Sequence, residues 1–267
     1  SANGGTDMRC LSDSECFSRV KTISFFMGSK DRASFDMGNV EPASVHFHRS
    51  LNTMRDIYRT NVHMVEVTEP DEEGYVYFGV RGVCWSPAAK WCEKRIYQIN
   101  SQQQRAFGRE NRIHISQVTA LCRHDHELNH YTYKQSAEDE QIAAHVAPMV
   151  RDGDTLQIGF GGLPNAIAYR FSDRKHLGIR SEVVTDSMLE LMREGVIDRD
   201  RVNAGFIITA TGRVDEDLLP YIKLAPIDEI NDPFETGKVP NFVSINSCFM
   251  TDLTGQVCSE NVAGKQY

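Results

Sequence analysis

The chain has 267 residues, 40% of them hydrophobic and 25% charged, with a formal net charge of −8. That length holds one large or two ordinary domains, and the acidic balance argues against nucleic acid as the main partner, since phosphate binding needs clustered Lys and Arg. No apolar run is long enough for a membrane span and no signal peptide is legible, so neither a membrane nor a secreted class is expected. Seven cysteines (10, 16, 84, 92, 122, 248 and 258), odd in number and irregularly spaced, favour reduced thiols in a cytoplasmic protein over a disulfide framework.

The opening Ser1-Ala2-Asn3-Gly4-Gly5 reads as a cloning remnant or a loose terminus. Residues 22–26 predict a strand stopped by Gly28, and Val62–Val67 a clearer one, with His63 and Glu66 as its polar members. A turn at 69–74 leads to a strand at 75–78. Ser86-Pro87 predicts a capped helix through Lys94, followed by a strand at 96–99. The polar stretch 123–135 has no periodicity and reads as an interdomain connection. Ser136 predicts the cap of a helix presenting Ile142, His145, Val146, Met149 and Val150, kinked by Pro148.

From Asp154 the alternation is more regular. Strands are expected at 156–158, 183–184, 206–208 and 242–245, with helices such as 188–194 between them, which argues for a mostly parallel sheet covered on both faces. In Asp152-Gly153-Asp154-Thr155-Leu156-Gln157-Ile158-Gly159-Phe160-Gly161-Gly162-Leu163-Pro164 a buried strand runs into a glycine-rich turn. Pro164 suits a first helical position, and the bare N–H groups of a helix start attract negative charge. Glu182 stands alone as an acid on another strand, just before Thr185-Asp186-Ser187. Ligands collect at strand carboxyl ends in open α/β sheets, so the two segments offer an anion cradle and a carboxylate.

The glycine segment, His176-Leu177-Gly178-Ile179-Arg180-Ser181-Glu182, Glu194-Gly195-Val196-Ile197-Asp198, Ser244-Ile245-Asn246-Ser247 and Asp252-Leu253-Thr254-Gly255-Gln256-Val257 resemble, in order and separation, the family I CoA-transferases of the acetyl-CoA hydrolase/4-hydroxybutyrate CoA-transferase type. The resemblance implies two open, mostly parallel α/β domains: 1–135 as the remainder of the N-terminal one, and 136–267 as the first part of the C-terminal one. It also implies that the chain is incomplete at both ends, stopping before a second glycine-rich loop. Glu182 matches the family's nucleophile, and Gly159, Phe160, Gly161, Gly162, Leu163 and Asn246 match its CoA contacts. The implied activity moves CoA from an acyl-CoA to a small carboxylate such as acetate, with no metal and no cofactor beyond CoA as substrate, in a cytoplasmic homo-oligomer. Acyl-CoA hydrolysis, or an inactive CoA-binding fragment, are the alternatives.

Blander readings stand beside these. Glu182 alone reads as a surface carboxylate, the glycines as a tight turn, and Asn246 as a buried structural amide. Pro164 breaks a dinucleotide fingerprint, and no Gly-Lys-Ser/Thr ending makes a P-loop. Glu260, within Ser259-Glu260-Asn261, is a rival nucleophile. Cys122, His124, His126 and His130 fit no zinc spacing and read as a solvated loop. Ser181 has no evident His–Asp partner. Against the family pattern, Ser187 replaces a glycine and Asn165 an aspartate, and both changes are expected to bear on acceptor choice.

Overall fold

The computed structural model describes residues 13–262 and 265–266; residues 1–5 and Cys10 lie outside them. The chain divides into two compact units, one running to Ser50 and resuming at Ser247, the other formed by Leu51–Asn246. In the first unit β1 (Thr22–Ser24) pairs in parallel with β2 (Val40–Pro42), with α1 (Ser29–Asp36) between them in sequence. The run 22–26 does not stay extended to Phe26, because Ser24 Oγ donates to Phe26 O at 2.7 Å and the chain bends. From Ser247 onward, short antiparallel pairs join Met250–Thr251 to Val257–Cys258 and Asn261–Val262 to Lys265–Gln266. Asp252 fixes the first of these turns by accepting from the N–H groups of Thr254 (2.8 Å) and Gln256 (3.0 Å).

α2 (Ser50–Asp56) precedes the first parallel sheet of the second unit. There β3 (Val62–Val67), β4 (Tyr75–Tyr77), α3 (Ala88–Trp91), β5 (Lys94–Ile99), β6 (Arg112–His114) and β7 (Ala120–Arg123) follow in turn. β3, β5 and β7 form a parallel sheet in that order, while β4 and β6 pair antiparallel. The valine pattern locates β3 but not its inward face: Val62 and Met64 are exposed, whereas His63 is buried against Tyr97 OH at 3.0 Å. Burial there pushes the imidazole down to about 4, so it stays neutral. The helix expected through Lys94 ends at Trp91, because Cys92 is extended (φ −71°, ψ 129°) and Lys94 opens β5. Ser86 makes no cap; its buried Oγ has no hydrogen-bond partner among the described residues.

After the irregular stretch 124–136 come α4 (Ala137–Val146), β8 (Thr155–Ile158), α5 (Gly162–Tyr169), β9 (Leu177–Val184), α6 (Asp186–Arg193), β10 (Ile197–Ile207), β11 (Lys223–Leu224), α7 (Ile227–Ile230), α8 (Pro233–Gly237) and β12 (Phe242–Ile245). Ser136 caps α4 as expected, its Oγ accepting from Asp139 N at 3.1 Å. The buried face of α4 is another matter. Ile142 and Met149 are exposed, and Ala143, Ala147 and Val150 pack inward. Small side chains let α4 lie close on α5, and a hydropathy count overlooks alanine. α5 opens at Gly162 rather than Pro164, so proline occupies its third position.

The second sheet has the order β11-β10-β9-β8-β12, all parallel. Leu156, Ile158, Leu177, Ile179, Val183, Val202 and Ala204 are all but inaccessible, as expected where helices cover both faces. Each fully buried Leu, Ile or Val contributes about 1.5–3 kcal/mol. Within β9 the partly buried exceptions are Arg180 and Glu182. β9 and β10 outrun the expected 183–184 and 206–208 because charged residues hide the pattern. Arg201 pins the polar start of β10, donating to Thr155 Oγ1 at 2.8 Å and to Gly153 O at 3.0 Å. Among the described residues, no helix is long and apolar enough to cross a membrane.

Candidate active site

The order of the second sheet creates one place where its connections part. β8 lies between β9, which follows it through α5, and β12, which returns much later to its other edge. In open parallel sheets ligands collect at such a switch point, at the strand carboxyl ends. The glycine turn leaves β8 at that edge, and Asn246 follows the last residue of β12.

Glu182 stands two residues before the end of β9. The β9–β10 ladder pairs Ser181 with Ala204 and Val183 with Phe206, which puts Gly205 beside Glu182. The β8–β9 ladder pairs Leu156 with Ile179, and that register carried forward puts Gly159 on the other side. Side chains in register share a face of a sheet, so two glycines flank the carboxylate on its own row. A Cβ on Gly205 would come within 2.9 Å of Glu182 O, 3.2 Å of Ile227 Cδ1 and 3.8 Å of Cys84 Cβ. Glu182 is thus housed between β10, α7 and the Cys84 turn.

Burial raises the Glu182 carboxyl to about 7, opposed in part by Asn231 Nδ2, which donates to Oε2 at 3.4 Å. No ion pair relieves the charge among the described residues. A carboxylate half stripped of water and held by one amide is a better nucleophile than a hydrated one. Cys84 is shut off from solvent and its thiol is pushed up, first by burial and then by the Glu182 charge. It stays a thiol, with Sγ donating to Arg81 O at 3.2 Å.

Ser181 lies beyond the last residue pair of the β8–β9 ladder. Its buried Oγ donates to Ile158 O (3.1 Å) and accepts from Ile158 N (3.4 Å), closing the gap where the ladder stops. It positions the two strand ends; nothing in its surroundings makes it a nucleophile.

In the glycine turn the residues have distinct tasks. Gly161, the N-cap of α5, has φ +132°, a region that L side chains rarely adopt. Gly162 is packed against backbone: a Cβ there would sit 2.3 Å from Lys134 O. Gly159 is different, since a Cβ would meet nothing nearer than Asn246 Oδ1 at 3.6 Å. Gly162→Ala is therefore expected to cost on the order of 2–3 kcal/mol, at the level of core overpacking. Gly159→Ala should leave the melting temperature within about 1 °C yet weaken CoA binding, measured by calorimetry. Equal loss of stability in both would make the turn purely structural. Phe160 lies edge-on to Tyr131, with centroids 6.1 Å apart, and Leu163 packs on the core.

Asn246 is exposed. Its amide is paired with Gln157 in both directions, at 3.0 and 2.9 Å, and donates to Ser244 Oγ at 3.0 Å. The expectation of a buried structural amide does not hold. Register places Asn246 next to Gly159, so the polar row runs Asn246, Gly159, Glu182, Gly205 across the sheet.

Asn165 and Ser187 meet each other. Ser187 Oγ donates to Asn165 Oδ1 at 2.6 Å, Thr185 Oγ1 donates to the same oxygen at 3.1 Å, and all three side chains are buried. This knot ties the first turns of α5 and α6 together. Ser187→Ala leaves an acceptor short of a donor and should cost about 1–3 kcal/mol. In a double-mutant cycle with Asn165→Ala, chemical denaturation should give losses well below the sum; additive losses would mean that the bond contributes nothing.

Other candidates fall elsewhere. Glu260 is exposed and belongs to the unit that contains Ser247. Cys122 turns its Sγ to Tyr97 O at 3.7 Å, and His126 pairs with Glu66 at 2.6 Å. Among the described residues no group of His, Cys, Asp and Glu is arranged to hold a metal ion. Sequence reading missed Asn231, Cys84 and Gly205. No spacing links them to Glu182, because the sheet order and α7 bring them there.

Residues 213–267 match the family model described as the acetyl-CoA hydrolase/transferase C-terminal domain. The chain is 30% identical over 251 residues to the 4-hydroxybutyrate coenzyme A transferase of Clostridium kluyveri, covering 90% of this chain and 58% of that one. It is 31% identical over 257 residues to the succinyl-CoA:cyclohexane-1-carboxylate CoA transferase of Geobacter metallireducens, covering 93% and 59%. Among solved structures, RipA from Yersinia pestis superposes with a TM-score of 0.87 at 29% identity, covering 94% of this chain and 62% of that one. A 4-hydroxybutyrate CoA-transferase from Porphyromonas gingivalis gives 0.76 at 29% identity, covering 96% and 69%. The chain spans a little under three fifths of the length of these curated relatives.

Proposed function

Because this chain belongs to the acetyl-CoA hydrolase/transferase family of CoA-transferases, we propose that it moves coenzyme A from an acyl-CoA to a small carboxylate such as acetate, with Glu182 as the nucleophile. The observation that carries the reading is a single carboxylate, largely buried and raised to about 7, standing between two glycines at the carboxyl edge of a parallel sheet.

The Glu182 carboxylate attacks the thioester carbonyl, and the C–S bond breaks to give an acyl-glutamyl anhydride and CoA thiolate. The thiolate attacks the glutamyl carbonyl, expelling the first carboxylate and leaving a glutamyl-CoA thioester. The acceptor carboxylate attacks that carbonyl, forming a second anhydride and releasing thiolate again. Attack of the thiolate on the acceptor's carbonyl forms the new acyl-CoA and restores Glu182. No proton or redox equivalent is gained or lost, so CoA serves as substrate with no further cofactor. On the Gly159 side the absence of a side chain leaves room for the flat carbonyl, whereas Gly205 lets Ile227 and Cys84 close in on the other. Gly159, Phe160, Gly161, Gly162, Leu163 and the Asn246 amide are the CoA contacts in this reading, the first N–H groups of α5 being suited to an anionic group.

In this reading the β3-β5-β7 sheet belongs to a CoA-transferase domain over 1–135 and the five-stranded sheet to a second over 136–267, in a cytoplasmic homo-oligomer, both sheets lying in the compact unit Leu51–Asn246. The test is a two-way assay with acetyl-CoA or butanoyl-CoA. Thioester exchange that requires an added carboxylate supports transfer. CoA release at the same rate without an acceptor makes the protein a hydrolase using the same nucleophile.

A further inference from the structure

α7 is a single turn, Ile227–Ile230, and so short a helix has no stability of its own. Its place is fixed by what it touches. Ile227 and Ile230 are buried, and Pro226 O accepts from the N–H groups of Glu229 and Ile230, both at 3.0 Å. The closing carbonyls of a helix lack partners within it and find them outside. Ile230 O accepts from Thr236 Oγ1 at 3.4 Å, and Glu229 O from Arg180 Nη2 at 2.7 Å. The second bond is short and has a charged donor, which puts it in the stronger class. Arg180 lies on β9, 49 positions from Glu229, so this bond ties α7 to the sheet.

Two short steps in sequence turn that tie into a ring. Arg180 stands two residues before Glu182 on the same strand, and side chains two apart share a face. Glu229 stands two residues before Asn231, whose Nδ2 donates to Glu182 Oε2 at 3.4 Å. Arg180 therefore reaches from β9 to α7, and Asn231 reaches back from the end of α7 to β9. The Glu229 carboxylate is a poorer anchor, because its partner Arg109, at 3.1 Å, is 72% exposed and such pairs contribute little. Arg180 is partly buried, and its Nε is inaccessible with no hydrogen-bond partner among the described residues. Leaving that donor unpaired costs stability, so the guanidinium is placed by what Nη2 bonds and not by its own satisfaction.

The other titratable and charged groups around Glu182 do not take over this task. β8 and β10 set Gly159 and Gly205 beside it, and Cys84 stays a thiol. Asp228 and Glu229 on α7 have their charged neighbours elsewhere, Asp228 in Glu110, Lys90 and Arg55, and Glu229 in Arg109. We infer that Arg180 is a positioning residue: by bonding the Glu229 carbonyl it holds α7 where the Asn231 amide meets the Glu182 carboxylate, an assignment that rests on the transferase reading of Glu182.

The experiment follows kcat/KM against pH, with butanoyl-CoA as donor and acetate as acceptor, for the wild type, Arg180→Met, Asn231→Ala and the double variant. Arg180→Met should raise the midpoint by about 0.5–1 pH unit, lowering kcat/KM about 3–10-fold at pH 6 and hardly at all at pH 9. Asn231→Ala should do the same, and adding Arg180→Met to it should move the midpoint no further. Arg109→Ala should leave it in place. An unmoved midpoint, or a loss uniform across pH, would assign Arg180 to packing and overturn the inference. A further shift in the Asn231→Ala background would mean that its charge acts on Glu182 directly, and a shift by Arg109→Ala as large as that of Arg180→Met would make the Glu229 carboxylate the anchor; either also overturns it. Arg180→Gln, shorter and uncharged, replaces the methionine variant if that does not fold. If no acyl-CoA reacts, the Glu182 reading has failed, and the readout becomes the stability gained by Glu182→Gln, taken from denaturant melts with and without Arg180→Met. That gain grows with pH and levels off once Glu182 is ionised. Arg180→Met should carry the levelling to higher pH, and an unchanged plateau would sink the inference.

Discussion

Glu182→Gln should abolish CoA transfer, lowering kcat by more than about 10³-fold, the scale on which removing a covalent nucleophile acts, while leaving CoA affinity near wild type. The amide has the shape of the carboxylic acid but cannot form an anhydride. The same substitution carries a stability signature that a surface carboxylate would not give. Burial raises the Glu182 pKa from 4.5 to about 7, so the folded protein holds this proton more tightly than the unfolded chain. Below pH 4.5 the group is neutral in both states and costs nothing. Between those values, and fully above about 7, the buried charge opposes folding. Glutamine mimics the protonated form, so the variant should match the wild type near pH 4 and exceed it at pH 8 by on the order of 2–3 kcal/mol. Denaturant melts at the two pH values measure this. A variant equally stable or weaker at pH 8 would mean that the carboxylate is well solvated.

The reaction should follow the same titration in the opposite sense. Only the ionised carboxylate attacks, so kcat/KM should rise about tenfold per pH unit below 7 and level off above it. At pH 6 roughly one carboxyl in ten is ionised. Asn231 Nδ2 donates to the carboxylate and favours the charged form. Asn231→Ala should therefore move the midpoint upward and reduce kcat/KM at pH 6 more than at pH 9. A uniform loss across the pH range would assign Asn231 to packing alone.

Much of the second sheet could be read from the chain because its signals are local. The apolar stretch at β8 ends in glycines, and β12 is bounded as expected at Phe242 and Ile245. Elsewhere the local signal points the wrong way. α4 and the turn that follows it bury Ala143 and Ala147, and leave Ile142 and Met149 in solvent. β3 buries His63, which bonds the hydroxyl of a tyrosine on the neighbouring strand. Of the candidate site, the sequence offers only the chain-local half, Glu182 and the glycine turn. Asn231 is 49 positions from Glu182, and its approach depends on α7 crossing the end of the sheet. The departures at Asn165 and Ser187 read as independent changes until the fold shows one hydroxyl bonded to the other residue's carbonyl. A compensating pair of this kind is invisible without the contact.

Trapping the covalent intermediate tests the central claim most directly. The protein is incubated with acyl-CoA, reduced with borohydride, digested and mapped by mass spectrometry. The account predicts a reduced glutamyl side chain at position 182 that depends on acyl-CoA and is absent from Glu182→Gln. Modification at Glu260 or any other carboxylate, with Glu182 unchanged, would contradict it.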